Sequence, residues 1–384
     1  MSNEIMPDLL VDELDINEPE ENEVVKESHD GSLSIGIIGA GQAGSRLAVS
    51  FYEQGYEKCI TINTTNQDKT SSNYHLNIKL NENLGGAGKD MAIAQKAIEE
   101  NSDSVHNLMR KVFNNVDFII ICAGLGGGTG GGITRKLIDM AQNYMKTLEY
   151  ENYEKRVGVI GTLPDEKESE HVKNNAVLVA RELSNRSNEF GFFMPVNNTH
   201  IFKKINSSIK PTMNKFYSYV NKTITQLFVA MNRISNFGTD YGKTLDGSDF
   251  MDVLTGGGHL GIGNVSLQDV REDNTSDLEL SNGITKSINK GHINNNFDIN
   301  TANSAAICFI VGYSVMNNYH GLMEVIEKSI QNSTESTKIQ KVHNGVYEDR
   351  DKDDNKDRNK VRIFVVVNGM VAPEALYNRL ETKI

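Results

Sequence analysis

The sequence is poor in the residues that build disulfide and metal scaffolds. It has three cysteines, six prolines and no tryptophan among 384 residues. Cys122 and Cys308 stand in apolar, strand-like runs, and no Cys/His spacing resembles a zinc site. A disulfide framework and a zinc module are therefore excluded, and we expect buried thiols in the reducing cytoplasm.

Two further absences concern membranes and nucleic acids. No apolar run approaches the roughly 20 residues that a transmembrane helix needs, and the N-terminus is acidic, so we expect neither a direct membrane contact nor a signal peptide. The formal net charge of −12 argues against broad, direct nucleic-acid binding. Residues 1–30 are acidic and hold no aromatic ring, which predicts a disordered N-terminal extension.

Glycine, by contrast, is concentrated in one short run. Residues 126–132 contain six glycines, and they stand between the apolar run Phe118–Cys122 and the helix-like Ile133–Ile138. Clustered glycines let backbone N–H groups wrap closely around a ligand, typically phosphates at the start of a helix. Flexible linkers are not usually placed between a buried strand and a helix. The run therefore predicts a phosphate-binding loop.

Two more glycine turns precede it. Residues 39–44 form a GxGxxG turn, the fingerprint of dinucleotide sites, but the second strand then ends without a carboxylate until Asp68. That gap disfavours an NAD-dependent oxidoreductase. The third turn, residues 85–90, includes Lys89, which adds positive charge, and no GxxxxGK[ST] motif of a Walker P-loop exists. Three such turns can converge on one polyphosphate, although the third turn alone fits an ordinary helix start as well.

The first half of the chain alternates strands and helices. This pattern predicts an α/β fold with a doubly wound parallel sheet, which we assign to a nucleotide-binding domain at residues 31–211. The predicted strands are Leu33–Ile38, Cys59–Ile62, Val116–Cys122, Val157–Thr162 and Phe192–Val196. The predicted helices are Ser45–Gln54, Asp90–Glu100, Ser104–Asn114 and Ile133–Met145.

The second half is predicted to hold a long connecting helix at residues 212–240, a C-terminal domain at 241–370 and a short helix at 371–384. An apolar stripe at spacings of three and four supports the long helix: Phe216, Val220, Ile224, Leu227, Met231 and Ile234. The C-terminal domain has strand candidates Ser304–Tyr313, Lys341–Glu348 and Val361–Asn368, and helix candidates Tyr319–Ile330 and Pro373–Lys383. The Asn- and Asp-rich stretches 271–300 and 349–360 are predicted to be solvated loops.

The glycine motifs resemble those of the tubulin/FtsZ superfamily of GTPases. Residues 126–132 are similar to its GGGTG[ST]G signature, except that Gly131 replaces the usual Ser or Thr. Residues 41–44 resemble the GQ[CA]G turn of tubulins, and Asn63 with Thr64 matches the Asn-Thr after the second strand, although Thr65 replaces an acidic residue. The resemblance covers residues 33 to about 265. It implies a Rossmann-like parallel-sheet GTPase domain, a long central helix and a smaller α+β activation domain.

The resemblance also implies GTP or GDP as ligand, with Mg²⁺ held through phosphates and water near Gln42 rather than by protein ligands. Glu168 would hold the ribose, with Glu166 and Glu170 as alternatives, and Asn198 would recognise the guanine edge, with Asn197 as its competitor. Tyr217 would stack on the base and Asn221, on the same helix face, would hydrogen-bond to it. The other nucleotide contacts would be Gly41, Gln42, Ala43, Arg46, Asn63, Gly86, Ala87, Gly88, Lys89, Gly124, Gly126, Gly127, Gly128, Thr129, Gly130 and Gly131.

Residues 246–253 carry the candidate catalytic groups. Asp249 and Asp252 stand three apart at a predicted helix start, where Asp is also common for structural reasons. The stretch resembles the DFxDV element of the family's synergy loop, whose two acids contact the nucleotide of the next subunit and position the attacking water. Gly247 replaces the family's Asn, so one polar contact is missing.

An active site divided between subunits implies assembly-stimulated GTP hydrolysis in head-to-tail filaments. The tubulin-like turn and the substitutions at Thr65 and Gly247 favour the plasmid- and phage-borne TubZ-like branch. That branch implies cytoplasmic filaments that move or position DNA through a DNA-binding adaptor protein. The alternatives are an FtsZ-like cell-division scaffold and a nucleotide-binding regulator that does not polymerise.

Overall fold

The computed structural model describes residues 31–65, 74–78, 86–206, 212–234, 242–289, 297–349 and 359–381. The predicted disordered extension at residues 1–30, and most of the predicted loop at 349–360, lie outside the described residues. Within the described ranges, no helix combines the length and the apolar character that crossing a bilayer requires.

The first half alternates strands and helices as the sequence predicts. The strands are β1 Ile35–Ala40, β2 Cys59–Asn63, β3 His75–Asn77, β4 Phe118–Gly124, β5 Val157–Leu163 and β6 Phe192–Asn197. The helices are α1 Gly41–Glu53, α2 Met91–Glu100, α3 Ser102–Val112, α4 Gly128–Thr147, α5 Glu170–Asn185 and α6 Asn198–Asn206.

The second half begins with the long helix α7, Met213–Ile234, whose predicted apolar stripe is buried. Its later helices are α8 Gly247–Leu254, α9 Asp277–Asn289, α10 Tyr313–Asn318, α11 Leu322–Thr334 and α12 Glu374–Leu380. Its strands are β7 His259–Leu267, β8 Ser304–Gly312, β9 Lys341–Asp349 and β10 Val361–Met370.

One sheet runs through both halves in the order β3-β2-β1-β4-β5-β6-β7-β10-β8-β9. Strands β1 to β6 are parallel, whereas β10 is antiparallel to both β7 and β8. β7 joins the first half through a single parallel pair, Phe193 with His259. The α/β fold class is thereby confirmed, with the two predicted domains sharing a single sheet.

The parallel strands read as continuous apolar runs because both of their faces are covered. Along β1, Ile35 and Ile37 pack with α1 and α7, while Ile38 and Ala40 pack with the helices of the opposite face. Since β1 pairs with β2 on one side and β4 on the other, the strand order reverses there. This is the point at which an open α/β sheet leaves a crevice beyond its carboxyl ends.

Three predictions about local structure were wrong. Residues 277–289 form helix α9 rather than a loop, because Leu280, Ile284 and Ile288 make a buried apolar stripe beneath a polar outer face. The predicted helix Tyr319–Ile330 corresponds to α11, but α11 begins later, at Leu322, because Gly321 adopts a left-handed φ of 74°, and the short helix α10 before it was not predicted. Helix α4 begins at Gly128 instead of Ile133, so the glycine run supplies the helix's first turn.

Candidate functional site

A cavity of about 470 Å³ lies at the carboxyl ends of β1, β2, β4 and β5. All three glycine turns contribute to its wall, together with residues of α6 and α7. The predicted nucleotide contacts in that wall are Gly41, Gln42, Ala43, Arg46, Asn63, Gly86, Ala87, Gly88, Lys89, Gly124, Gly126, Gly127, Gly128, Thr129, Gly130, Asn198, Tyr217 and Asn221.

Close backbone packing explains why two of these turns need glycine. A Cβ on Gly44 would lie 2.1 Å from the carbonyl oxygen of Cys122, and one on Gly130 would lie 2.5 Å from that of Gly124. Gly127 differs, because the nearest atom to a Cβ there would be 3.7 Å away. Gly44 and Gly130 therefore allow the turn at residues 39–44 and the glycine run at 126–132 to pack closely together. Gly127 instead leaves space at the cavity wall, because it has no side chain there.

Two helix N-termini open onto the cavity. Helix α1 begins at Gly41 and α4 at Gly128, and the residue before each helix makes no side-chain capping bond. The first-turn N–H groups of a helix have no acceptors within the helix, and the helix dipole places positive potential there. Neither first turn contains an acidic residue. The cavity is therefore suited to an anion with several oxygen atoms.

The hydroxyl of Thr64, just after β2, contacts two of the three glycine turns. It lies 2.8 Å from the hydroxyl of Thr129 in the glycine run, and it accepts a hydrogen bond from the backbone N–H of Ala87 in the third turn, at 3.1 Å. The side-chain oxygen of Asn63 accepts from the N–H of Thr64 at 2.9 Å. Sequence reasoning used Thr64 only as part of a motif and missed this linking role.

The third turn is held from outside by α5. Lys89 has a left-handed φ of 70°, and its carbonyl oxygen accepts hydrogen bonds from His171 Nε2 at 3.2 Å and Asn175 Nδ2 at 3.0 Å. These bonds fix the backbone of Lys89 while its side chain remains exposed at the cavity. The turn is therefore a supported wall of the cavity.

Two side-chain atoms in the cavity residues are buried without a partner among the described residues. One is a donor, Nδ2 of Asn63, and the other is an acceptor, Oδ1 of Asn198. Burying an unpaired polar atom costs about 1–3 kcal/mol, so such atoms call for an explanation in a ligand or water. A ligand with an acceptor near Asn63 and a donor near Asn198 would satisfy both.

The structure distinguishes the two candidates for the guanine edge but not the candidates for the ribose. Asn197 lies outside the cavity wall and its side-chain oxygen accepts from the N–H of His200 in α6, whereas Asn198 faces the cavity. None of the three candidate ribose carboxylates lines the cavity; Glu166 instead pairs with Lys203 at 3.2 Å. The assignment of Glu168 to the ribose stays a prediction.

Glu168 nevertheless lies near the cavity's aromatic side chain. Burial, and then the charges of Glu168 and Asp165, raise the pKa of Tyr217 above its ordinary value.

The last predicted contact, Gly131, lies behind the loop, where a Cβ would meet the carbonyl oxygen of Leu125 at 2.6 Å. Its departure from the signature therefore reflects packing within the fold.

Asp249 and Asp252 lie on α8, away from the cavity of their own chain. Asp246 caps the helix by accepting from the N–H groups of Ser248 and Asp249, and Asp249 in return accepts from the N–H of Asp246 at 3.1 Å. This capping box fixes the start of the helix. Asp246 and Asp249 therefore have a structural role in capping α8, and this role leaves the second carboxylate oxygen of Asp249 free to make other contacts.

His343 of β9 brings the two acids together. Its Nδ1 lies 2.7 Å from Asp249 Oδ1 and its Nε2 lies 3.1 Å from Asp252 Oδ2. Lys341 contacts the other oxygen of Asp252 at 2.8 Å. Burial raises the pKa of Asp252, but the hydrogen bonds from Lys341 and His343 outweigh it and hold that pKa below its ordinary value. Sequence reasoning gave His343 and Lys341 no role.

Two family models match successive parts of the chain. Residues 34–206 match the GTPase domain of the tubulin/FtsZ family, and residues 243–374 match the C-terminal domain of the tubulin-like protein TubZ. Together they include every residue of the cavity wall except those of α7, and all of α8.

Individual relatives agree with this. The tubulin-like protein TubZ of Bacillus cereus is 25% identical over 276 residues, which are 68% of this chain and 61% of that protein. The chain thus spans about three-fifths of the length of that relative. Cell division protein FtsZ 1 of Archaeoglobus fulgidus is 30% identical over 127 residues, 32% of this chain and 33% of that protein.

Solved structures share the fold at lower identity. A GTPγS-form protofilament of Bacillus thuringiensis serovar israelensis TubZ superposes with a TM-score of 0.70 at 19% identity, covering 92% of each chain. CetZ2 from Haloferax volcanii, as a GTPγS-bound protofilament, gives 0.69 at 19% identity, covering 90% of this chain and 97% of its own.

Proposed function

Because this chain belongs to the tubulin/FtsZ family and carries a TubZ-type C-terminal domain, we propose that it binds and hydrolyses GTP and assembles head-to-tail into filaments. The observation that carries the proposal is the cavity itself. Three glycine turns and two open helix N-termini supply donors for a polyphosphate, and Asn198, Tyr217 and Asn221 line the same cavity.

The match to the tubulin/FtsZ GTPase domain favours guanine as the base, and the unpaired atoms are compatible with it. The unpaired oxygen of Asn198 needs a donor, and the Watson–Crick edge of guanine presents N–H donors at N1 and N2. Asn221 can add a second hydrogen bond, and Tyr217 offers its ring for stacking. The unpaired N–H of Asn63 is placed to donate to a phosphate or ribose oxygen. Titrating GTP and ATP against the protein by calorimetry tests this preference.

The cavity lacks the group that would activate water. Among the described residues that line it, none is Asp or Glu. Among the described residues there is likewise no cluster of His, Cys, Asp or Glu that could hold a metal ion, so Mg²⁺ would be held by phosphate oxygens and water beside Gln42. When bound, Mg²⁺ would neutralise phosphate charge.

A second subunit can supply what is missing. Asp249 and Asp252 lie side by side on α8, about one-third exposed, and they line no part of their own chain's cavity. Brought against the nucleotide of a neighbouring subunit, carboxylates can orient water or accept its proton. The same contact repeated head-to-tail gives an open filament, and hydrolysis then depends on assembly.

A mixing experiment tests whether the site is shared. Asp252→Asn removes the acid half and Asn221→Ala weakens the nucleotide half, so each variant alone should hydrolyse GTP poorly. In a mixed polymer, some contacts pair an intact cavity with an intact α8, and hydrolysis should partly recover. Asp277→Asn, which changes a partly exposed first-turn acid of α9 that accepts a hydrogen bond from Asn332, is the matched control and should hydrolyse GTP like the wild type. No recovery on mixing would contradict a shared site.

The cellular role we propose is to move or position plasmid or phage DNA. The TubZ relatives support it, one of which is described as a type III plasmid segregation protein. With a net charge of −12, contact with DNA would be made by a basic DNA-binding adaptor protein. Pull-down of a cognate DNA-binding protein with pre-formed filaments tests this role. The FtsZ relatives keep a division scaffold as the alternative, which predicts filaments at the division site instead.

Assembly itself distinguishes the remaining alternative. Light scattering after GTP addition should rise for the wild type and should persist longer for Asp249→Asn, because hydrolysis is slowed while the nucleotide cavity is unchanged. A nucleotide-binding regulator would bind GTP without scattering at any protein concentration.

A further inference from the structure

His343 makes contacts that a neutral imidazole cannot satisfy. Both ring nitrogens face carboxylate oxygens, Asp249 at 2.7 Å and Asp252 at 3.1 Å. A neutral imidazole has one N–H donor and one acceptor nitrogen, so one of these contacts would set two acceptors against each other. An imidazolium hydrogen-bonds to Asp252 through Nε2 and forms an ion pair with Asp249 on the side of Nδ1. The geometry therefore corresponds to a charged ring between two carboxylates.

The surroundings of the ring are ionic on several sides. From α8 and its cap, Asp246, Asp249 and Asp252 face it, and Lys341 lies on the same strand. If His343 is neutral, the negative charges of three carboxylates are balanced only by the charge of Lys341. A charged imidazole ring reduces this excess of negative charge by one unit. The Tyr347 hydroxyl, also on β9, accepts from the N–H of Leu245, which fixes the chain just before the cap.

We propose that His343 is a positioning residue: as an imidazolium it holds Asp249 and Asp252 in one orientation, ready to face the nucleotide of the next subunit. The inference rests on the proposed function, because it concerns the acids that complete the shared site. His343 is about one-fifth exposed and the acids about one-third, so the cluster is anchored in the fold yet accessible to a partner. Its positive charge also reduces the repulsion between these carboxylates and a polyphosphate.

The test compares three variants of the 384-residue chain. His343→Gln keeps one donor and loses the charge; His343→Arg keeps a charged, planar group with several donors; and His320→Gln changes an exposed histidine paired with Glu272, as the control. The quantity measured is GTP turnover per polymerised subunit, with polymer mass determined by sedimentation. A charge-assisted hydrogen bond at a partly exposed site predicts about a 10-fold loss for His343→Gln. His343→Arg should recover most of it, and nucleotide affinity should be the same in all variants.

The pH profile separates positioning from a merely structural role. Deprotonation removes the charge of an imidazole, whereas the arginine variant keeps its charge as the pH rises. The turnover of His343→Arg relative to wild type should therefore rise with pH. A constant ratio, or a His343→Gln polymer that turns over at the wild-type rate, would overturn the proposal.

A second measurement requires no hydrolysis. Urea unfolding of His343→Gln, Asp249→Asn and the double variant, without nucleotide, measures the coupling between the two side chains. Non-additive destabilisation confirms the pairing, and additive effects overturn it. Suppose that the cycle shows coupling but the wild-type protein neither hydrolyses GTP nor assembles. The proposed function then fails, and so does the role of His343 in hydrolysis. The pairing of His343 with Asp249 would still be established.

Discussion

Acid should destabilise this protein through one buried histidine. His259 is 2% exposed at the start of β7, where β7 joins β6 through Phe193. Its Nδ1 donates to the carbonyl oxygen of Met370 at 3.2 Å, and its Nε2 lies 2.9 Å from the hydroxyl of Ser184. Burial lowers the pKa of His259 from 6.5 to about 4. The folded protein therefore holds this ring neutral at the junction between the two halves of the sheet.

The sign and size of the effect follow from the shift in pKa. In the unfolded chain, His259 binds a proton as the pH falls through 6.5, whereas the folded chain resists protonation until about pH 4. Its contribution to stability is complete above pH 6.5 and is lost progressively as the pH falls towards 4. At 1.36 kcal/mol for each unit, the whole shift corresponds to about 3 kcal/mol, and about 2 kcal/mol of it is lost by pH 5.

Urea unfolding at about pH 8 and pH 5 measures this loss. Acidification also affects carboxylates, so the informative quantity is the difference between the wild type and His259→Gln, which is less stable throughout but cannot titrate. The wild type should lose about 2 kcal/mol more than His259→Gln. His320→Gln, in which the lost histidine is exposed, should behave like the wild type. Equal pH dependence in wild type and His259→Gln would refute the reasoning.

Four other changes test the cavity and a surface ion pair. Gly127→Ala should reduce GTP affinity at least tenfold in calorimetry, because its methyl group would occupy part of the cavity wall. The free energy of unfolding in urea should change little, because a Cβ at this position meets no atom closer than 3.7 Å in the free protein. Thr64→Val should weaken GTP binding by about 1–3 kcal/mol in the same assay, since it removes the hydrogen bonds that join the end of β2 to two of the glycine turns. Asn198→Leu should abolish the preference for GTP over ATP in competition binding, because the base loses its buried acceptor. Arg181→Ala, which breaks exposed pairs with Glu374 and Glu381, should change the unfolding free energy by less than about 1 kcal/mol; a larger loss would show that α12 depends on them.

Local sequence signals predicted the nucleotide half of the site. Strands β1, β2, β4, β5 and β6 were found within a few residues because strands covered on both faces are apolar throughout. The glycine turns were equally visible, since each leads into a helix and the turns at residues 39–44 and 126–132 directly follow a strand. The start of α4 was misplaced because glycine disfavours helix interiors in general, although here the ligand cavity needs an unobstructed first turn.

The remaining parts could not be predicted, because they depend on contacts between distant residues. His343 is 91 residues from Asp252, and Thr64 is 65 residues from Thr129. Only the order of strands in the sheet brings these pairs together, and a single histidine or threonine gives no periodic signal. Helix α9 was missed for a different reason, since its asparagines and charged residues dominate its composition while three apolar side chains determine its burial.

The two parts of the proposed site are mechanically connected within each chain. The side-chain amide of Asn368, fully buried on β10, donates to the carbonyl oxygen of Val253 at the end of α8 and to that of Gly191 just before β6. The helix that carries the acids is thereby tied to the sheet that carries the cavity. Because the connection is a pair of buried hydrogen bonds, a shift of β6 relative to β10 must either move α8 or break bonds worth about 1 kcal/mol each. In the proposed filament, a change at the cavity of one subunit would therefore alter the position of the acids that the same subunit presents to the next.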